Sequence, residues 1–249
     1  MSEHTVNIPR RLFVQKTAAT VAGLSIAPGI LLTQVAQAKI TGPVSTENRW
    51  GMLIDTNKCA TGCTACVSAC NEEHAIHTHN RPTTDAQWIR KVKLRDLQTK
   101  HVISLPMMCQ HCENPPCVDV CPTGASMKRD DGIVLVDKHT CIGCRYCMMA
   151  CPYKARSFIH EAVTDQKTYA PRGKGTVESC TLCVHRVDKD GKDAVPACVQ
   201  ACNEAEHGAM IFGDLKDPES NISKQLKKHG GKQIRADLGL NTGVRYRGI

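Results

Sequence analysis

An α+β fold built from two repeated cysteine-rich modules is predicted by three observations. First, the 249-residue chain places sixteen cysteines in four groups of four, with none left over. The groups are Cys59, Cys63, Cys66, Cys70; Cys109, Cys112, Cys117, Cys121; Cys141, Cys144, Cys147, Cys151; and Cys180, Cys183, Cys198, Cys202. Second, the chain repeats itself. Ile54 to Cys59 parallels Val136 to Cys141, with an aspartate four residues before the cysteine in each. Gly62-Cys63 matches Gly143-Cys144, and Ala69-Cys70 matches Ala150-Cys151. Pro116-Cys117-Val118 and Cys121 likewise match Ala197-Cys198-Val199 and Cys202, which sets repeats over about 50–128 and 132–213. Third, only 4% of residues are aromatic and 22% are charged, a thin basis for an ordinary core at this length. Cross-links between loops have to supply what the core lacks.

The elements follow from pattern. Short β-branched or apolar runs at Trp50–Asp55, Ile89–Leu94, Val102–Leu105, Ile133–Val136 and Ala209–Phe212 read as strands. Asp131-Gly132 signals a hairpin turn just before the fourth of them. Short helices are expected after Cys66, Cys117, Cys144 and Cys198, and residues Pro218 to His229 read as a surface helix. His74 to Gln87 is a polar insertion between modules. Asn241 to Ile249 offers little for a core and is expected to dock on the surface or on a partner.

The third cysteine group, CIGCRYCMMACP, has the C-x2-C-x2-C-x3-C-P spacing of bacterial ferredoxins, whose last cysteine serves the other cluster of a pair. Three thiolates two residues apart wrap three corners of an iron–sulfur cube. The fourth is expected on the following helical turn, facing away toward a neighbouring cube. Gly143 gives the loop torsions that other residues resist, and brings amides to the sulfurs. Three other readings are weaker. Triplets spaced two apart make strained disulfides. A tetrahedral zinc site takes two C-x2-C pairs. A c-type haem needs C-x-x-C-H, which is absent. The fold class is therefore α+β with duplicated bacterial ferredoxin-like modules, short strands, short helices and long cysteine-rich loops, carrying four 4Fe-4S clusters. The metal-free chain is not expected to fold.

At the N-terminus, Arg10-Arg11 precedes a small-residue apolar stretch from Thr17 to Leu32 and the sequence Ala36-Gln37-Ala38. This reads as a twin-arginine signal over residues 1–38, which carries folded cargo to the periplasm. Without it the formal charge of +8 falls to about +6. Four thiolate-ligated clusters of about −2 each then bring the total to about −2. The basicity is a counter-charge, and no nucleic-acid partner is expected.

Other features carry less. Asp188-Lys189-Asp190-Gly191 is similar to the opening of a calcium loop but lacks its closing glutamate, and reads as a turn. His74, His77, His79, His111 and His185 are expected in solvent or beside a ligand, because the cysteines already complete four cubes. Arg145, Lys154, Arg156 and Arg186 lie near cysteines in sequence and offer charge to a cluster or a partner. There is no phosphate loop and no nucleophile–base pair, so a non-catalytic subunit is expected.

With these motifs in hand, the chain resembles the four-cluster ferredoxin subunits of periplasmic respiratory complexes, over nearly all of residues 39–249. More narrowly, Trp50 to Asp55, Met108 to Ser126 and Gly132 to Phe158 resemble the DsrO family, periplasmic subunits of the DsrMKJOP transmembrane complexes of sulfur metabolism. The resemblance implies that group I shares clusters with IV, and II with III. Cluster 1 would use Cys59, Cys63, Cys66 and Cys202; cluster 2 Cys180, Cys183, Cys198 and Cys70. Cluster 3 would use Cys109, Cys112, Cys117 and Cys151; cluster 4 Cys141, Cys144, Cys147 and Cys121. Spacing alone leaves the sequential pairing of I with II open. The implied partners are an NrfD-type integral membrane subunit that interacts with quinone and a multihaem cytochrome c, with membrane association through them. Two alternatives are an electron-transfer subunit of a periplasmic molybdopterin reductase and a cysteine-rich metal-binding structural protein. Group I departs from the pattern: Ala60-Thr61-Gly62 widens it to C-x3-C-x2-C-x3-C. A full cube is expected there; displacement of Cys59 would leave a three-iron site.

Overall fold

The computed structural model describes residues 44–249. The proposed signal, 1–38, lies outside them. Along the chain run β1 (Trp50–Asp55), α1 (Ala65–Glu73), β2 (Ile89–Arg95), β3 (Val102–Met108), α2 (Pro116–Asp119), β4 (Ser126–Lys128) and β5 (Val134–Val136). They are followed by α3 (Tyr146–Ala150), β6 (Ser157–Phe158), β7 (Val177–Glu178), α4 (Val184–Asp190), α5 (Ala197–Glu204), β8 (Met210–Asp214), α6 (Asn221–His229) and β9 (Val244–Arg247). Among the described residues no helix is long and apolar enough to cross a membrane.

The largest sheet has the order β8-β1-β9. β1 pairs antiparallel with β8, Met52 opposite Phe212, and parallel with β9, Ile54 opposite Tyr246. All six residues of β1 are buried, so both faces are covered. Period-two alternation divides them. Trp50, Met52 and Ile54 join the core that contains the cysteines. On the other face Leu215 lies against Gly51, and Gly231, just past α6, packs on Leu53. α6 covers the sheet through fully buried Ile222, which meets Gly213 of β8. Its N-terminus is capped by Ser220, whose hydroxyl accepts from the Ser223 amide, so the helix starts three residues later than Pro218 suggests.

The tail differs from expectation. Residues 244–247 form a core strand, with Val244 and Tyr246 both at 0% exposure. The Tyr246 hydroxyl donates to the Pro106 carbonyl at 3.0 Å and accepts from Gln110 at 3.2 Å, tying the sheet to the end of β3. A short alternating strand at the chain end has too few apolar residues to announce itself; a pre-existing buried edge recruits it.

The remaining sheets are two-stranded. β2 and β3 form a long hairpin, and β4 and β5 a tight one closed at Gly132 (φ +86°). β4 and the β6–β7 pair were not predicted, being too short to show periodicity. Asp188 to Asp190 lie in α4 rather than in a turn, and Gly191 (φ +58°) caps it.

Candidate metal centres

Helix geometry places the cysteines. α1 carries Cys66 and Cys70, and α5 carries Cys198 and Cys202, each pair four residues apart. Such pairs share one helix face about 6 Å apart along the axis. In α1 and α5 axial displacement therefore carries the fourth cysteine toward the next site, whereas Cys151 of the third group lies just past the end of α3. α1 packs on α5, and α2 on α3, so group I meets group IV and group II meets group III.

Three cavities are walled by the results. Cys59, Cys63, Cys66 and Cys202 line one of about 310 Å³ with Lys91 and Pro106. Cys109, Cys112, Cys117 and Cys151 line a second of about 310 Å³ with Val134, Tyr153 and Arg156. Cys121, Cys141, Cys144 and Cys147 line a third of about 300 Å³. The other four cysteines are buried together. Burial first, and then the nearby Cys180, Cys198 and Cys183, push the Cys70 thiol well above its ordinary range. The sets also adjoin in order. Cys198 is near enough to Cys66, Cys109 to Cys180, and Cys147 to Cys117 for one thiolate to disfavour the other.

Burial likewise raises Cys66 to about 11 and Cys183 to about 11. Cys112 rises to about 12, through burial first and then Cys109, Cys117 and Cys151. Where burial raises a thiol in this way, holding it as a thiolate takes added positive charge.

The residues fit iron–sulfur clusters on several counts. None of the sixteen cysteines is in a disulfide. Among the described residues no three His, Cys, Asp or Glu side chains converge on the position of a single metal ion, as structural zinc requires. Each set carries soft sulfur donors spread around a space, which suits a polynuclear centre. Backbone amides point at sulfurs throughout: Ser126 to Cys121 at 3.3 Å, Val177 to Cys141 at 3.4 Å, Ala197 to Cys183 at 3.5 Å and Ala209 to Cys202 at 3.4 Å. Such donors favour the anionic form. Arg156 is buried with an unpartnered Nη1, an orphan cation at the cysteine sets.

Loop conformation completes the sites. Gly143 has φ +69°, and a Cβ there would lie 2.0 Å from the Gly175 carbonyl oxygen. Arg145, next to Cys144, adopts φ +66° and stacks its guanidinium 3.7 Å from the Phe158 ring centroid. In the widened first loop Gly62 has φ +88°, and Lys91 of β2 donates to Cys59 Sγ at 2.7 Å. Lys91 was missed because it lies on a strand far from the motif in sequence.

The histidines divide. His77 and His79 are exposed. His111, 1% exposed, is structural: Nδ1 accepts from the Val134 amide at 3.0 Å, and burial lowers its pKa to about 3. His74, 2% exposed, lies with Nε2 3.6 Å from Cys183 Sγ and against Trp88. His185 stacks on Tyr169 and bonds Glu73 at 2.8 Å. Arg186 pairs with the same Glu73 at 2.6 Å, joining α4 to α1. Lys154 is exposed.

Comparison with known proteins agrees with this chemistry. Two family models described as 4Fe-4S dicluster domains match residues 58–125 and 100–215. The chain is 41% identical to the Hdr-like menaquinol oxidoreductase iron-sulfur subunit 1 of Archaeoglobus fulgidus, over 95% of this chain and 97% of that one. It is 37% identical to a tetrathionate reductase subunit of Salmonella typhimurium, over 96% and 88%. With the menaquinone reductase iron-sulfur cluster-binding subunit of Nitratidesulfovibrio vulgaris it shares 35% identity, over 80% and 88%.

Proposed function

Because the chain belongs to the family of 4Fe-4S dicluster iron–sulfur subunits of oxidoreductase complexes, we propose that it relays electrons through four 4Fe-4S clusters. In this reading the ligands are Cys59, Cys63, Cys66 and Cys202; Cys180, Cys183, Cys198 and Cys70; Cys109, Cys112, Cys117 and Cys151; and Cys141, Cys144, Cys147 and Cys121. The observation that carries it is the convergence of cysteines from different groups on shared cavities, brought together by the packing of α1 on α5 and α2 on α3. Bound clusters supply reversible one-electron chemistry. The protein holds the thiolates, directs amides at them and excludes water from most of the path.

The two halves of that path differ in connectivity. One combines the first and last cysteine groups, and the other is nested between them. This supports a duplicated ferredoxin architecture whose units are not sequential. At one end Cys144 is exposed, beside exposed Ile142 (67%), Tyr146 (54%) and Met149 (68%). Contiguous apolar exposure around a redox site supports docking of a partner there.

For the partners we favour an NrfD-type, quinone-interacting membrane subunit and a multihaem cytochrome c, in a Dsr-type complex on the periplasmic side of the membrane. The similarity to the tetrathionate reductase subunit supports a second reading, service to a molybdopterin reductase. Isolation of the native complex separates them: a co-purifying multihaem cytochrome supports the first, and a large pterin-containing subunit the second. The cluster reading is tested on the chain itself. Iron and acid-labile sulfide of about sixteen each per chain are expected for four cubes, with reversible bleaching by dithionite. Iron well below that, with zinc present, overturns it.

A further inference from the structure

Arg156 is 5% exposed. Its Nη2 donates to Cys117 Sγ at 3.0 Å and to Ser126 Oγ at 2.8 Å. The Cys109 and Cys147 thiols lie within range of its charge. Arg172 is equally buried but is paired with Glu178 at 2.7 Å. Arg156 makes no such pair with a carboxylate among the described residues, and its Nη1 has no partner. A buried guanidinium without a counter-charge is strongly disfavoured. Thiolates are the anions available to offset that cost here.

The two groups it touches belong to different sites. Cys117 and Arg156 line the cavity of Cys109, Cys112 and Cys151, and Ser126, whose amide donates to Cys121 Sγ at 3.3 Å, lines that of Cys121, Cys141, Cys144 and Cys147. One fixed charge therefore lies in the wall between two adjacent centres. Guanidinium suits this place better than ammonium, because its planar fork meets two acceptors at once and stays charged when buried.

We infer that Arg156 is a positioning residue that raises the reduction potentials of the third and fourth clusters together, by holding one positive charge in the wall between them, on Cys117 and Ser126. The inference rests on the ligand sets proposed above. Reduction adds negative charge to a centre, so a nearby fixed cation favours the reduced form of both. The same charge offsets repulsion between two anionic centres that share a wall.

The test is a potentiometric titration, followed by electron paramagnetic resonance, of the full chain and of Arg156→Gln, with iron and sulfide assayed on both. Two of the four reduction steps are expected to fall so that the reduced-to-oxidised ratio at fixed potential drops at least tenfold, ~59 mV for a one-electron couple. The other two steps stay in place. Arg156→Lys keeps a positive charge in the wall, so both affected steps are expected to lie closer to their wild-type values than in Arg156→Gln. Should Arg156→Gln fail to assemble, Arg156→His read at about pH 8, where an imidazole is neutral, decides in its place: two steps lowered together support the bridge, and none lowered overturns it. No shifted step in Arg156→Gln, or an equal shift of all four, also overturns it. Wild-type protein with iron well below about sixteen per chain overturns the ligand sets instead, whatever Arg156 does.

Discussion

Gly143 shows how one residue type can be dictated twice, by torsion and by space. Its φ of +69° already disfavours a side chain, and the Gly175 carbonyl occupies the position a Cβ would take. Gly143→Ala is expected to cost about 1–3 kcal/mol in local strain. The loop of Cys141 and Cys144 should open, with loss of about four irons per chain, read by iron assay, while the other clusters stay. Glu73 makes a different point. The Arg186 side chain, joined by His185, outweighs burial and holds its carboxyl at about 2. A carboxyl depressed on folding stabilises the fold above its unfolded pKa, and the gain is lost as pH falls toward the folded value. Glu73→Gln is therefore expected to destabilise by about 2 kcal/mol at neutral pH. Against the wild type the difference should persist down to about pH 5 and shrink toward pH 2, as urea midpoints across pH would show. A constant difference across that range would refute the charge-based account.

Among the elements, β9 has the clearest consequence. Its Tyr246 is buried, and its hydroxyl joins Pro106 and Gln110. Tyr246→Phe removes those bonds and should cost about 1–2 kcal/mol. Tyr246→Ala adds a cavity, for about 3–5 kcal/mol, measurable by chemical denaturation. Tolerance of both would mean that the C-terminal strand is dispensable. α1 and α5 are equally instructive: each is short and only weakly amphipathic, yet each carries two cysteines a turn apart on the face where the helices meet. Their sequence is spent on ligands more than on packing.

At the scale of the molecule, cysteines make up much of the core. The buried cluster that contains Trp50, Met52 and Ile54 also contains Cys66, Cys70, Cys109, Cys117, Cys147 and Cys198. Removing metal would leave buried cavities and an unpaired Arg156, so little would favour the folded state. Chelation of iron under reducing conditions is expected to abolish cooperative unfolding by circular dichroism. A metal-free chain with a sharp transition would show that the apolar sheet suffices alone. Much of this architecture was legible beforehand. β1 matched its predicted bounds because six mostly apolar residues precede the first cysteine loop. α1 and α5 were anchored by their cysteine spacing. The three-residue β4 and the tail strand β9 were hidden, since so short a run has no resolvable period.

The sequence by itself determined the chemistry: sixteen thiols in groups of four, with spacings that suit cubes and leave no odd cysteine. Local spacing is enough for that in the first three groups, whose first three cysteines lie within nine residues of each other, while α4 separates Cys183 from Cys198 in the fourth. Spacing left open which groups meet; the resemblance implied I with IV and II with III, and the packing of α1 on α5 and α2 on α3 brings those groups together in space. The tertiary structure alone decided which charges attend them. Lys91 reaches Cys59 from a distant hairpin. Arg156, already noted in sequence as close to cysteines, acquires its place between two sets only when the chain folds. Coulombic influence depends on distance in space and on burial, and neither can be read from position along the chain.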